Sequence, residues 1–431
     1  MSTASDKERA REWIRQNRKW LIELTQSLVR IPSVSGEEGE VQEFIAKKLS
    51  ELGLQPKFVL PDVDDLRKSP DFFETTSFAR VGYEGRPNVM GVLRGQGRGR
   101  SICLSGHVDV VSAEPIENWS RNPWCGEVDG GLLYGRGAGD MKGGIAAMIT
   151  AVQSLRECGI RLLGDVFVET TIEEEDGGIG GNLFMRLTEP KADAALIPEP
   201  SNLQLGVASS GVMYFRVTVP GVSAHAATAH FGVNAIHKMI PIIEALRKLN
   251  EERQKTISYE YAEASDPRMK GRVTTINPGV IRAGDWPSTV PGACMLECRV
   301  GWPPGETREE VKEQVERAIS GAAGNDDWLK DNPPHVEWFG WYARPHEQDV
   351  SHPFIRCLGN NISEATGKEP LFVGGSAGLD TRFFVHYGTP AAVCGPSAER
   401  IHSHDECVSI KSLVLLAEVI ASTLIDWCGV K

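Results

Sequence analysis

Apolar residues recur at helical spacing from the start of the chain, where Trp13, Leu21, Leu24 and Leu28 predict one long helix ending near Pro32. Val41, Phe44, Ile45 and Leu49 form a second stripe. Ser35 and Glu38 read as its capping box, and Gly53 follows its end. The pattern then changes to short runs rich in apolar residues, NVMGVL, SICLSG, VFVETTI and ADAALIPEP, which are expected to be buried strands. GGIAAMITAVQSL, lying between two of them, reads as a helix. This alternation predicts an α/β sheet.

The pattern shifts again near Gly211. YFRVTVPG alternates as a half-exposed strand does, a helix is expected around Ala235–Leu249, and GRVTTI and ACMLECRV read as strands. Thr307 and Glu310 predict a capped helix. Sheet-like runs then resume in FVGG and PAAVCG, and a helix through Leu413–Trp427 closes the chain. The expected organisation is therefore a first domain built from residues 1–210 and 343–431, with a smaller α+β domain, 211–342, inserted into it.

Length and composition narrow the function classes. A chain of 431 residues is long for one core and fits two domains. A net charge of −12 with scattered Lys and Arg argues against a nucleic-acid partner. No apolar run reaches the length of a membrane span, and the charged start MSTASDKERARE does not read as a signal peptide. The nine cysteines include no Cys-x-x-Cys pair, and Cys103, Cys294 and Cys298 sit in apolar patterns. A reducing cytoplasm is the expected compartment.

Polar residues cluster where the predicted strands finish. SICLSGHVDVV supplies His107 and Asp109, and LLYGRGAGDMKGG supplies Asp140 ahead of a helix. ETTIEEEDGG supplies Glu173, Glu174 and Glu175, ALIPEPS supplies Glu199, and ERIHSHDECVSI adds His402 and His404. Singly, each has an ordinary reading as a core pair, a turn aspartate or a solvated acidic run. Strand ends in open α/β sheets converge in space, however. Imidazoles together with carboxylates suit a pair of divalent ions of the zinc type, whose charge would keep adjacent glutamates ionised.

Taken in order, GHVDVV, GRGAGDMKGG, EEEDGG and PEPS resemble the co-catalytic zinc amidohydrolases and exopeptidases. That family includes acetylornithine deacetylase, succinyl-diaminopimelate desuccinylase, aminoacylase and glutamate carboxypeptidase. The resemblance runs from VRIPSVSGEE to HSHDECVSI. It implies a metallopeptidase-like catalytic domain, with a central mixed sheet flanked by helices, and an inserted α+β lid domain that forms a homodimer. It implies two divalent ions per subunit, zinc first, with cobalt or manganese as alternatives. His107 and Glu199 would bind one ion, Glu175 and His402 the other, and Asp140 would bridge them. Asp109 would support His107, and Glu174 would be the general base. His225, in GVSAHAATAH, would reach a neighbouring subunit's site, and Arg299, in MLECRV, would grip a substrate carboxylate.

Several positions depart from the family pattern: Glu173 where Asp is usual, Ser288 where many relatives place a substrate-binding Asn, and His404 where a small residue or Pro is common. The loop GGSAGLDTRFF, which carries Ser376 as a substrate-binding candidate, is also longer than usual. These departures bear on the substrate and leave the metal set intact. The leading reading is a deacylase of a small N-acyl amino acid or related amide. The alternative applies the same chemistry to a planar aromatic or heterocyclic substrate, as a deformylase or deaminating aminohydrolase. Trp286, Trp302, Trp338 and Trp341 could then form an aromatic wall. A third reading, a non-catalytic binding protein on the same fold, is opposed by the complete set of catalytic residues.

Overall fold

The structure, a computed structural model, describes residues 3–375 and 377–431, so Ser376 lies outside the described residues. The chain divides into two compact units. One comprises Met1–Val207, Glu347–Val373 and Asp380–Lys431, and the other Ala208–His346 with Gly374–Leu379.

In the first unit the buried runs pair into a mixed sheet. Its neighbouring strands are Lys57–Val59, Asn88–Leu93, Val166–Thr171, Ile102–His107, Ala195–Ile197 and Ala391–Val393, and it continues through Leu205–Ser209. The three central pairings are parallel, and the first two strands join antiparallel. Ile102–His107 and Val166–Thr171 are buried at every position, which accounts for the lack of apolar–polar alternation in them; the buried Glu169 is paired with Arg186. Helix Gly143–Glu157 packs on strand Ile102–His107, and helix Gly39–Glu51 packs on Asn88–Leu93. Gly106 permits the first of these contacts. A Cβ there would stand 2.9 Å from Ile145 Cγ1 and 3.0 Å from Met141 Cε, so the helix after Asp140 rests directly on the strand that ends in His107.

A separate four-stranded antiparallel sheet joins distant parts of this unit, with the strand order Ala398–Glu399, Cys407–Ser409, Leu132–Tyr134 and Glu127–Asp129. The expectation that Asp140 follows a strand of the central sheet is corrected here. The preceding strand, Leu132–Tyr134, belongs to the small sheet, and its register sets Cys407 opposite Tyr134.

Two helix expectations are also corrected. The first helix is two, Thr3–Gln16 and Arg18–Val29. They break at Asn17, whose amide side chain donates to the Trp13 carbonyl, so a local side-chain bond competes with the helix ladder. Ser35 and Glu38 form no capping box, because both have other partners. The Ser35 hydroxyl donates to Asp109 Oδ2, and the Glu38 carboxylate accepts from Gly36 N and Arg86. The helix begins at Gly39.

The second unit is an antiparallel sheet in the order Thr275–Ala283, Ala293–Trp302, Gly211–Pro220 and His335–Ala343. Helices Ala235–Thr256 and Arg308–Gly324 share a core with it that includes Phe215, Val217, Leu296, Cys298, Met239, Leu246, Val311 and Val315. Thr307 and Glu310 do form the capping box, which contributes about 1 kcal/mol to that helix. Strand His335–Ala343 has no counterpart in the sequence reading. A bulge between Phe339 and Tyr342, with Gly340 at a φ of 60°, interrupts the alternation that would announce it.

Candidate metal centre

His107 is the last residue of its strand and is almost wholly buried. Its Nδ1–H donates to the Asp109 carbonyl at 2.9 Å, with the Asp109 carboxylate at 3.5 Å. In the neutral ring that bond makes Nε2 the lone-pair nitrogen, and Nε2 lies 3.1 Å from Asp140 Oδ1 and 3.2 Å from Glu199 Oε1. Glu199 arrives from the neighbouring parallel strand, two residues past its end at Ile197.

The other half of the cluster is built on the small sheet. His402 lies on the connection between Ala398–Glu399 and Cys407–Ser409, at a φ of 59°. Its Nε2 is 2.9 Å from Glu175 Oε2 and 3.3 Å from Asp140 Oδ2. His404 instead packs edge-on against the Trp119 ring. The Asp140 carboxylate therefore faces one imidazole with each oxygen. Its backbone is held by Glu406, whose Oε1 accepts from Gly139 N at 3.0 Å and Asp140 N at 3.2 Å. Arg136 donates to the other Glu406 oxygen at 2.5 Å.

The three adjacent glutamates have three different surroundings. Glu173 is fully buried at a φ of 67°, and its carboxylate accepts from Thr75, Ser77 and Tyr83 hydroxyls and from Gly180 N. It is a satisfied structural carboxylate. Glu174 and Glu175 begin a short 3-10 turn capped by Asp109. Its Oδ1 accepts from Glu174 N at 2.9 Å and its Oδ2 from Glu175 N at 3.1 Å. Sequence reasoning gave Asp109 to His107 alone. This second role depends on how two strand ends meet, and only the spatial register shows it. The grip of Glu406 on Asp140 likewise has no sequence signal of its own.

The electrostatics show what the cluster needs. Burial pushes Glu199 up to about 8 and Glu175 up to about 7, with Asp140 adding repulsion in both cases. Burial, then Asp380, raises Glu174 well above the carboxylate range. Hydrogen bonds to Asp140 and Glu175 lift His402 to about 10. Burial would lower His107, but Glu199, Asp109 and Asp140 together raise it well above its usual value. Asp140 is itself held low: His107 and His402 outweigh its burial. Left to themselves, these groups gather protons to balance crowded carboxylates. Each uncompensated buried charge costs several kcal/mol, so a positive counterpart is required. Divalent cations fit this donor set, since His107, Asp140 and Glu175 offer ligand atoms within 4.8 Å of one another.

A family model described as Peptidase family M20/M25/M40 matches residues 103–426. The chain belongs to that family. A deformylase of N-formyl-4-amino-5-aminomethyl-2-methylpyrimidine from Bacillus subtilis is 29% identical, covering 97% of each chain. A succinyl-diaminopimelate desuccinylase from Marinobacter nauticus is 27% identical, covering 94% of this chain and 98% of its own. Among solved structures, the YXEP protein of Bacillus subtilis, a dinuclear metal-binding peptidase of the M20 family, superposes with a TM-score of 0.65. Its identity is 17%, with coverage of 95% of this chain and 98% of that one. This M20 member is a metal-dependent amidohydrolase of non-peptide C–N bonds with a small-molecule substrate, and no helix among its described residues is long and apolar enough to cross a membrane.

The remaining site candidates lie in the second unit. His225 is exposed, and its Nδ1 accepts from Ala227 N at 3.0 Å, which puts the ring proton on Nε2. Ser288 is exposed on the neighbouring segment and its carbonyl accepts from Ala226 N. Arg299 is half-buried on strand Ala293–Trp302, with Nη1 3.3 Å from Thr275 Oγ1. The four tryptophans do not form one wall. Trp302 is wholly buried, Trp338 packs on Phe215, Trp341 stands edge-on to Tyr214, and Trp286 is 67% exposed.

Proposed function

We propose that the protein removes a formyl group from the nitrogen of a small planar heteroaromatic amine, with two divalent ions in the cluster around Asp140. The observation that carries the substrate class is the similarity to the Bacillus subtilis pyrimidine deformylase over nearly the full length of both chains. This is the reading the sequence offered second. The first, a deacylase of N-acyl amino acids, keeps support from the desuccinylase similarity and from Arg299 on strand Ala293–Trp302, which would pair with a substrate carboxylate.

In this reading His107 and Glu199 would hold one ion, His402 and Glu175 would hold the other, and Asp140 would serve both. Zinc suits this mixture of imidazole and carboxylate, as do cobalt and manganese. The bound ions would supply Lewis acidity and bring a water molecule toward hydroxide at neutral pH. Glu174, buried beside the ligands, accepts the proton of the attacking water and returns it to the leaving nitrogen as the C–N bond breaks, giving formate and the free amine. Asp109 holds Glu174 and Glu175 in register by capping their turn. His225, with its Nε2–H available, donates to the developing oxyanion of a partner subunit's site.

The pairing of subunits is part of the proposal. Strand Thr275–Ala283 is an edge of its sheet and exposes Val280 and Ile281, while helix Ala235–Thr256 exposes Ile236 and Ile240. An apolar sheet edge of this kind is suited to pairing with its own copy. All nine cysteines are free, which suits a reducing cytoplasm.

The test is a substrate panel. Zinc-, cobalt- or manganese-loaded protein is offered N-formyl-5-aminomethylpyrimidine, N-acetyl and N-succinyl amino acids, and an aryl amine. Formate release from the first should exceed acid release from the acyl amino acids and ammonia release from the aryl amine by at least about tenfold in kcat/KM. A preference for the acyl amino acids would restore the deacylase reading.

A further inference from the structure

Trp286 is a large aromatic side chain 67% exposed at the head of a tight turn. Burial of such a ring is worth several times thermal energy, so its exposure calls for an explanation. The backbone beneath it is rigid. Thr289 N donates to the Trp286 carbonyl at 3.0 Å, and Pro287 occupies the second turn position, where its ring presets φ. The turn is fastened to the His225 segment on both sides. Ala226 N donates to the Ser288 carbonyl at 2.9 Å, Val290 N donates to the Ala224 carbonyl at 2.8 Å, and His225 and Thr289 form an antiparallel bridge.

His225 and Trp286 are therefore carried on one hydrogen-bonded backbone unit, one turn apart. Trp328 and Trp338 of the same unit satisfy their indole N–H, to the Pro220 carbonyl and to Glu316, and Trp302 bonds the Glu306 carbonyl. Among the described residues the Trp286 indole has neither a polar nor a ring partner.

We propose that Trp286 is a specificity residue whose indole face stacks on the planar ring of the substrate's amine half. This rests on the reading of His225 given above. If His225 Nε2 meets the carbonyl being hydrolysed, the rigid turn delivers the Trp286 ring alongside it. The neighbouring substrate atoms there are those attached to the carbonyl: a single hydrogen on the formyl side and the amine on the other. A flat π face discriminates by stacking on a flat partner, and Ser288, exposed on the same turn, adds a hydroxyl at its rim.

The experiment compares two formamides on the metal-loaded protein, N-formyl-5-aminomethylpyrimidine and N-formyl-cyclohexylmethylamine, with wild type, Trp286→Ala and Trp286→Phe. The alanine variant should lose about tenfold or more in kcat/KM on the pyrimidine, chiefly through KM, and less than about threefold on the cyclohexyl compound. The phenylalanine variant should recover most of the loss, and the mass in solution should match wild type. Equal losses on both substrates, no loss on either, or a change in oligomeric mass would overturn the stacking role while leaving the deformylase reading intact. If wild type hydrolyses neither formamide but does hydrolyse N-acyl amino acids, the deformylase reading itself fails and takes this inference with it.

Discussion

The Asp109 carboxylate accepts the backbone N–H of Glu174 at 2.9 Å and that of Glu175 at 3.1 Å, so one buried side chain sets the position of the proposed base and of a neighbouring ligand. Asp109→Asn keeps the shape but replaces one acceptor oxygen with a donor that faces a backbone N–H. Turnover should fall about ten- to hundredfold while the metal content stays near wild type. Kinetics alongside elemental analysis would check this. A variant with wild-type turnover would remove Asp109 from the positioning role.

Glu174 and Glu175 are adjacent in sequence, yet only Glu175 lies against His402. Glu174→Gln should therefore retain metal and fold and lose turnover by orders of magnitude, because an amide cannot shuttle a proton. Glu175→Gln should instead weaken metal binding. Interchanged phenotypes would place the register of the triplet wrong by one residue.

Much of this arrangement was legible in the sequence because strand ends advertise themselves. The runs before His107, Glu174 and Glu199 are short and buried, and each leads to a polar residue at the place where a parallel sheet opens its site. Asp140 and His402 were legible through their motifs, but the element that unites them was not. Ala398–Glu399 and Cys407–Ser409 are two and three residues long, too short for any period to show. The roles of Asp109, Glu406 and Glu173 arise from contacts between segments far apart in the chain. Local pattern cannot supply these.

The crowded carboxylates also make metal uptake a competition with protons. Glu199, pushed up to about 8, and Glu175, pushed up to about 7, are partly or mostly protonated at neutral pH without a cation, and a metal must displace those protons. The sign follows directly: raised carboxylate pKa values weaken binding on the acidic side. Zinc affinity of chelator-treated protein should climb from about pH 6 to about pH 8, with protons released on loading, as measured by calorimetry in buffers of different ionisation enthalpy. A flat profile without proton release would contradict the proposed ligands.

Subunit exchange tests the reach of His225. Inactive His225→Ala protein mixed with inactive Glu174→Gln protein should regain roughly a quarter of wild-type activity. Half the dimers would then be mixed, each with one complete site. No recovery after verified exchange would confine His225 to its own chain or to no catalytic role.

Asp140 is the residue on which the account turns, because its two oxygens face His107 and His402 separately. The most direct measurement titrates chelator-stripped protein with zinc and follows bound metal and formate release together. Wild type should bind two ions per chain, roughly, and reach full activity as the second is bound. Asp140→Ala should disturb both sites, whereas His107→Ala should empty chiefly one. Full hydrolysis by rigorously metal-free protein, or an Asp140→Ala variant that still binds two ions tightly, would contradict the shared-carboxylate centre.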